Sequence, residues 1–205
     1  MHDLACPKCG MAYIRESLED QKLHRVYHDE VVNGVPARPA KSEKVIWSDS
    51  DGRIVVVTPF SPKAQRVRAR NVARVANREM HYDFGLYHES EPPDSRHLHL
   101  FLYCRGSRGV GLAMLEKRDH ICHYTWEEFD RREQKQLEQM APIWSLAFVW
   151  VHGKYRRIGI ARTLFEQSIR FLGIGPKNVG VYTPFSDDGE RFARSLFPHG
   201  FIIAK

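Results

Sequence analysis

The sequence predicts an α/β (α+β) fold, a mixed central sheet with flanking helices, preceded by a small C2H2-type finger. Three observations carry this reading. Cys6 and Cys9, followed by His24 and His28, have the spacing of a tetrahedral zinc site. From Arg53 onward the periodicities run strand, helix, hairpin, strand, helix, strand, helix, strand. Between Ile143 and Leu172 a buried apolar strand meets an amphipathic helix through a basic, glycine-containing turn.

The totals suit one domain with a small appendage. We divide the chain into a finger (1–32), a linker (33–44) and a main domain (45–205). Apolar content of 42% and charged content of 27% are those of a folded soluble protein. No apolar run of membrane-spanning length is free of charge, and the first residues do not read as a signal peptide. The expected location is intracellular, in the cytoplasm, or in the nucleus if the source is eukaryotic. Four cysteines, two of them in the CxxC pair, suit a reducing compartment. A net charge of +6 favours acidic partners, nucleic acid or an anionic ligand without choosing among them.

In the finger, Gly10 supplies the turn after the two cysteines. His24 and His28 are four residues apart and share one helix face, so Cys6, Cys9, His24 and His28 can close around Zn2+. Ser17, Glu19 and Asp20 suit the start of that helix. A segment of about 23 residues has too little core to fold alone, so the metal would supply folding energy. The acidic helix start is a poor match for phosphate, which favours a structural or protein-binding finger over a DNA reader.

The linker carries glycine, two prolines and charge without periodicity. Asp49–Gly52 is turn chemistry, 53–58 a strand, and Ser61 a candidate cap for a helix over 63–80. Lys63, Arg66, Arg70, Arg74 and Arg78 form a basic stripe on that helix, with Ala64, Val72, Val75, Ala76 and Met80 on the other side. A solvated face explains the stripe most simply; contact with nucleic acid or an acidic protein is the alternative. Residues 81–96 read as irregular around Pro92-Pro93, then 97–105 and 110–116 as a hairpin. Trp126 to Gln139 reads as a charged helix. His97, His99, His120 and His123 lack an acidic or thiol set and are not taken as a metal site.

The central turn runs Arg156-Arg157-Ile158-Gly159-Ile160-Ala161. Unpaired N–H groups at the following helix start, its dipole, two arginines and a small backbone make an anion cradle. The tail of the chain reads as a strand over 178–183, a turn at 186–189, a helix over 190–196 and a strand over 201–204.

The spacing Arg156-x-x-Gly159-x-Ala161 resembles the pyrophosphate loop of GCN5-related N-acetyltransferases. The finger residues Cys6, Cys9, Met11, Tyr13, Asp20, His24 and His28 are similar to those of the Eco/ESCO-type cohesion acetyltransferases. Trp150-Val151 with Arg156–Ala161, and Asp188-Gly189 with Phe192-Ala193, match later segments of the same family. Two departures stand out. Where that family has a Ser-Asp pair this chain has Thr183-Pro184, and the finger starts at Cys6 without the long preceding extension of eukaryotic members.

The resemblance implies a sheet of GCN5-related N-acetyltransferase type over 45–205, acetyl-CoA as co-substrate and a protein substrate with an acceptor lysine. It implies that Phe148, Val149, Trp150 and Val151 hold the pantetheine arm, with 179–183 splaying away. Arg156, Arg157, Ile158, Gly159, Ile160 and Ala161 would hold the pyrophosphate. Glu166 falls where the family carries a catalytic glutamate, and Asp187 is the second candidate carboxylate. The expected function is acetyl-CoA-dependent N-acetyl transfer to protein lysine in a ternary complex. A catalytically silent acetyl-CoA binder, or a nucleic-acid-binding finger protein using the finger or the Arg66–Arg78 stripe, are the alternatives, and a small-molecule amine acceptor stays open.

Overall fold

The computed structural model describes residues 3–81 and 97–205. A short hairpin, β1 (Asp3–Ala5) and β2 (Ala12–Ile14), leads into helix α1 (Leu18–Asn33). Ser17 caps α1 by accepting from the Asp20 N–H, with Glu19 and Asp20 in the first turn, as the sequence predicts. Then come β3 (Val35–Pro36), β4 (Lys44–Ser48), β5 (Arg53–Val57) and helix α2 (Lys63–Met80). Strands β6 (Leu98–Arg105) and β7 (Arg108–Tyr124) form the hairpin, followed by α3 (Trp126–Asp130) and β8 (Glu138–Val151). Helix α4 (Ile160–Leu172), β9 (Gly180–Val181), α5 (Asp187–Leu196) and β10 (Phe201–Ala204) complete the chain.

The main sheet is ordered β10-β9-β8-β7-β6-β5-β4, with β3 added against β7. Pairings from β4 to β8 are antiparallel, whereas β9 lies parallel to both β8 and β10. This is the mixed sheet expected. Alternation along β5–β7 sends Val55, Leu100 and Leu112 to one face, under α2, and Val56, Phe101 and Ala113 to the other, under α4 and α5. Small residues on α2 (Ala69, Ala73, Ala76) let it lie close to the sheet. Gly109 sits at the crossing, where an added Cβ would meet Val72 Cγ2 at 2.8 Å.

Several elements differ from the sequence reading. Residues 126–139 are not one helix. The Thr125–Glu128 capping box starts α3, but Arg132 takes a left-handed φ of 55°, and Glu138 and Gln139 pair with Ile121 and His120 as the start of β8. The charged run has no apolar repeat to bury, so packing cannot extend the helix. Ser61 does not cap α2; its hydroxyl accepts from the Thr58 N–H at 2.9 Å, and Pro62 occupies the cap. Ala64 is exposed, and Gln65, Arg68 and Ala69 are buried instead. The second hairpin strand continues eight residues past Glu116, to Tyr124. The strand expected over 178–183 is only Gly180–Val181, and α5 begins at Asp187 rather than Glu190. Strand β4 was not anticipated. The expected loop at Pro92-Pro93 lies outside the described residues.

The predicted linker is partly built into the sheet. Val35 and Ala37 are fully buried, and Val35–Pro36 pairs with Gly109–Arg108. No described helix is long and apolar enough to cross a membrane.

Candidate functional site

In the finger, Gly10 (φ 72°) turns the chain so that its N–H reaches the Cys6 carbonyl at 2.8 Å. The ligand atoms of Cys6, Cys9, His24 and His28 all lie within 4.8 Å of one another, with Cys6 Sγ 3.3 Å from His28 Nδ1. His24 stacks on Tyr13 at 4.0 Å, which holds its ring toward the cluster. Backbone N–H groups of Lys8 and Cys9 pull the Cys6 thiol down to about 6, so it is readily a thiolate; burial pushes the Cys9 thiol up. Two thiols and two imidazoles converging on one centre are the donor set zinc takes, and the four residues fit it.

The finger does not hang free. Glu30, near the end of α1, is buried, bonds Arg74 Nη2 at 2.5 Å and lies 3.4 Å from Arg78 Nη2. Asp29 pairs with Arg108 at 2.5 Å. Arg78 also covers the Tyr27 ring at 4.2 Å. Part of the basic stripe is thus the seat of the finger helix. The Arg66 Nε donates to the Ser61 carbonyl at 3.1 Å.

On the far side of the sheet, β8 and β9 pair only at Ser145–Gly180 and Leu146–Val181, with a last bond from the Tyr182 N–H to the Leu146 carbonyl at 3.2 Å. A bulge at Ala147 follows, where Met114 faces Phe148 and Leu115 faces Leu146. Beyond it the strands part, because β9 ends and residues 182–186 turn away toward α5. The gap is a slot in two connected halves. The inner half, about 240 Å³, is lined by Leu146–Val149 and by Val181–Ser186. The outer half, about 910 Å³, is lined by Val149–Val151, Tyr155–Arg157, Gly159–Arg162 and the start of α5. Met80, Val149, Ser186, Gly189 and Phe192 border both.

The outer half ends in the basic turn. Arg157 (φ 65°) and Gly159 (φ 89°) are both left-handed and bracket Ile158. The first bond within α4 is Thr163 N–H to the Gly159 carbonyl, leaving the N–H groups of Ile160, Ala161 and Arg162 without helical partners. A Cβ added at Gly159 would touch nothing within 4 Å, so the floor of the turn is open. Such a nest of amides at a helix start fits a pyrophosphate. Arg157 reaches across to Asp188 at 2.9 Å. Arg156 instead folds back, donating to the Val151 carbonyl at 2.9 Å and pairing with Glu79, which also accepts from Trp150 Nε1 at 2.9 Å.

Residues 2–30 match the family described as the zinc-finger of acetyl-transferase ESCO. The N-acetyltransferase ESCO2 of Danio rerio is 24% identical over 203 residues, covering 92% of this chain and 33% of that protein. The N-acetyltransferase ECO1 of Candida glabrata is 24% identical over 221 residues, covering 93% of this chain and 82% of the relative. The solved xEco2 acetyltransferase domain superposes with a TM-score of 0.62 at 18% identity, over 82% of this chain and 98% of that one. Its complex with a K105-CoA conjugate gives 0.61 at 19% identity, over 80% and 98%. This chain is similar to the Eco/ESCO acetyltransferases in its finger and in its sheet. The likeness covers a finger followed by a sheet of the same fold, and the chain spans about a third of the length of the Danio rerio relative.

The structure gathers Val149, Trp150, Val151, Arg156, Arg157, Gly159, Ile160 and Ala161 around the outer half of the slot, and Phe148 and Val149 around the inner half. Ile158 points outward and is 59% exposed. Asp187 stands in the outer wall, on the first turn of α5. Glu166 lies on the exposed side of α4, 3.8 Å from Arg162, and is not part of either half. Sequence reasoning missed Glu116, Arg118 and Tyr182, which cluster at the inner end. The available signal was the alternation of β7, which puts Glu116 on the same inward face as Leu112 and Met114.

Proposed function

We propose that the chain transfers an acetyl group from acetyl-CoA to a lysine of a protein substrate, within a ternary complex. The observation that carries this reading is the slot between β8 and β9, continuous with the amide nest at Arg157–Ala161. A linear thioester with a pyrophosphate at one end matches that shape. The pyrophosphate would sit on the N–H groups of the α4 start, and the pantetheine arm would lie along Phe148–Val151. That direction carries the thioester inward, to the bulge at Ala147, where a backbone N–H of β8 would take the developing oxyanion. The acceptor would enter at the inner end. A lysine amine, with an ordinary pKa of about 10.4, must shed a proton before it can attack, so a proton acceptor is needed there. Glu166 and Asp187, the two carboxylates suggested by the sequence, both stand away from the inner half.

The finger serves as a structural extension of α1 in this reading, seated on Arg74, Arg78 and Arg108. It and the exposed part of the Arg66–Arg78 stripe are where a substrate protein would dock. The test is to incubate zinc-loaded protein with isotopically labelled acetyl-CoA and lysine-containing peptides, then locate label by mass spectrometry. Label on lysine side chains supports the reading. Stoichiometric acetyl-CoA binding without label on any amine would make the chain a silent binder.

A further inference from the structure

Two glutamates are buried in the described residues, Glu30 and Glu116. The first seats the finger. The second stands on β7 opposite Ser145, the residue where β8 and β9 still pair. Its carboxylate is therefore beside the apex of the slot. Tyr182 is the first residue past the last β8–β9 bridge, and it lines the inner half. The Tyr182 hydroxyl donates to Glu116 Oε1 and accepts from Arg118 Nε. Arg118 also bonds Glu116 Oε1, from Nε at 2.9 Å and Nη2 at 2.5 Å. The cross-strand neighbours of Glu116, Leu98 and Ser145, carry no charge, so Arg118 and Tyr182 are the ionisable groups bonded to it. Pro184, two residues further on, offers no proton acceptor.

We propose that Tyr182 is a catalytic residue that contacts the acceptor amine and relays its proton to Glu116, with Arg118 holding the carboxylate in place. This rests on the acetyltransferase reading above and names the proton path for it. The amine nitrogen bonds to the thioester carbonyl carbon and the C–S bond breaks. The proton lost from nitrogen passes to the Tyr182 oxygen as the phenol proton moves to Glu116. It then returns to the departing CoA thiolate, so the sum is amide plus thiol. Burial, and then the Glu116 carboxylate, raise the Tyr182 pKa well above its ordinary value, which keeps a proton on the phenol for this exchange. Glu116 acts through Tyr182 and is a positioning and proton-holding residue.

The test uses zinc-loaded full chain with acetyl-CoA and poly-L-lysine, reading thiol release across about pH 6 to 10. Tyr182→Phe and Glu116→Gln should each lower kcat about a hundredfold, while acetyl-CoA affinity by calorimetry stays that of the wild type. Without the relay, the Glu116→Gln rate should keep rising about tenfold per pH unit beyond the pH where the wild type levels off, and Glu116→Asp should recover part of the rate. Variants that bind acetyl-CoA normally and keep the wild-type rate and pH profile overturn the relay alone. Loss of acetyl-CoA affinity in Tyr182→Phe also overturns it, since the role would be structural. A wild type that binds acetyl-CoA but releases no thiol overturns the acetyl-transfer reading, and the relay with it.

Discussion

His152 Nε2 donates to the backbone carbonyl of Glu30 at 3.1 Å, tying the last turn of the finger helix to the segment that enters the anion cradle. Its Nδ1 accepts from the Lys154 N–H at 3.3 Å, so one imidazole joins two elements more than a hundred residues apart. His152 is buried, and removing the ring breaks both bonds and leaves a cavity, with the Glu30 carbonyl keeping only the Gly34 N–H at 3.1 Å. His152→Ala should cost about 1–3 kcal/mol in unfolding free energy. Denaturant titration measures it; unchanged stability would mean the bond is replaced by water.

Zinc removal should be felt beyond the finger. His24 and His28 share α1 with Asp29 and Glu30, which bond Arg108, Arg74 and Arg78. If chelation loosens this seat by about 2 kcal/mol, the melting temperature of the whole chain should fall by roughly 4–8 °C. Thermal melts with and without chelator, and with Cys9→Ser, check this. An unshifted main transition would show that the finger melts on its own.

Acid should unseat another ion-paired carboxylate, Glu43, whose side chain is only 4% exposed. Burial alone would raise the pKa of Glu43, but hydrogen bonds from Arg53, at 3.1 Å, and Arg68 outweigh it and hold the value below 4.5. The folded value is thus lower than the unfolded one. The stabilisation is full above the unfolded value and is lost as pH falls through the folded one. Glu43→Gln should cost about 3 kcal/mol at neutral pH and flatten the acid limb of the stability curve. Equal stability of variant and wild type at neutral pH would contradict this.

Much of the layout was legible because it rests on periodicity and punctuation. Helix α2 runs from Lys63 to Met80 as its pattern indicates, and Ser17 marks the start of α1. The Cys6–His28 spacing and the Arg156–Ala161 turn are local patterns, so sequence shows them directly. What stayed hidden depends on partners distant in the chain. Glu138 and Gln139 become strand because β7 runs on to meet them. Val35 and Ala37 are buried because a sheet edge and α2 lie beneath them, which nothing in a Pro-containing stretch announces. Glu166 falls where the resemblance would place a catalytic glutamate yet faces outward, whereas the Glu116–Tyr182 pair joins residues 66 positions apart.

The most direct measurement is calorimetric titration of acetyl-CoA into the zinc-loaded chain and into Gly159→Glu. Gly159 holds φ 89° at the open floor of the cradle, so glutamate there adds both backbone strain and a negative charge beside the phosphates. Saturable binding by the wild type, weakened at least about a hundredfold by the substitution, is the expected result. Failure of the folded wild-type chain to bind acetyl-CoA, or equal binding by Gly159→Glu, would contradict the placement of the co-substrate in this slot.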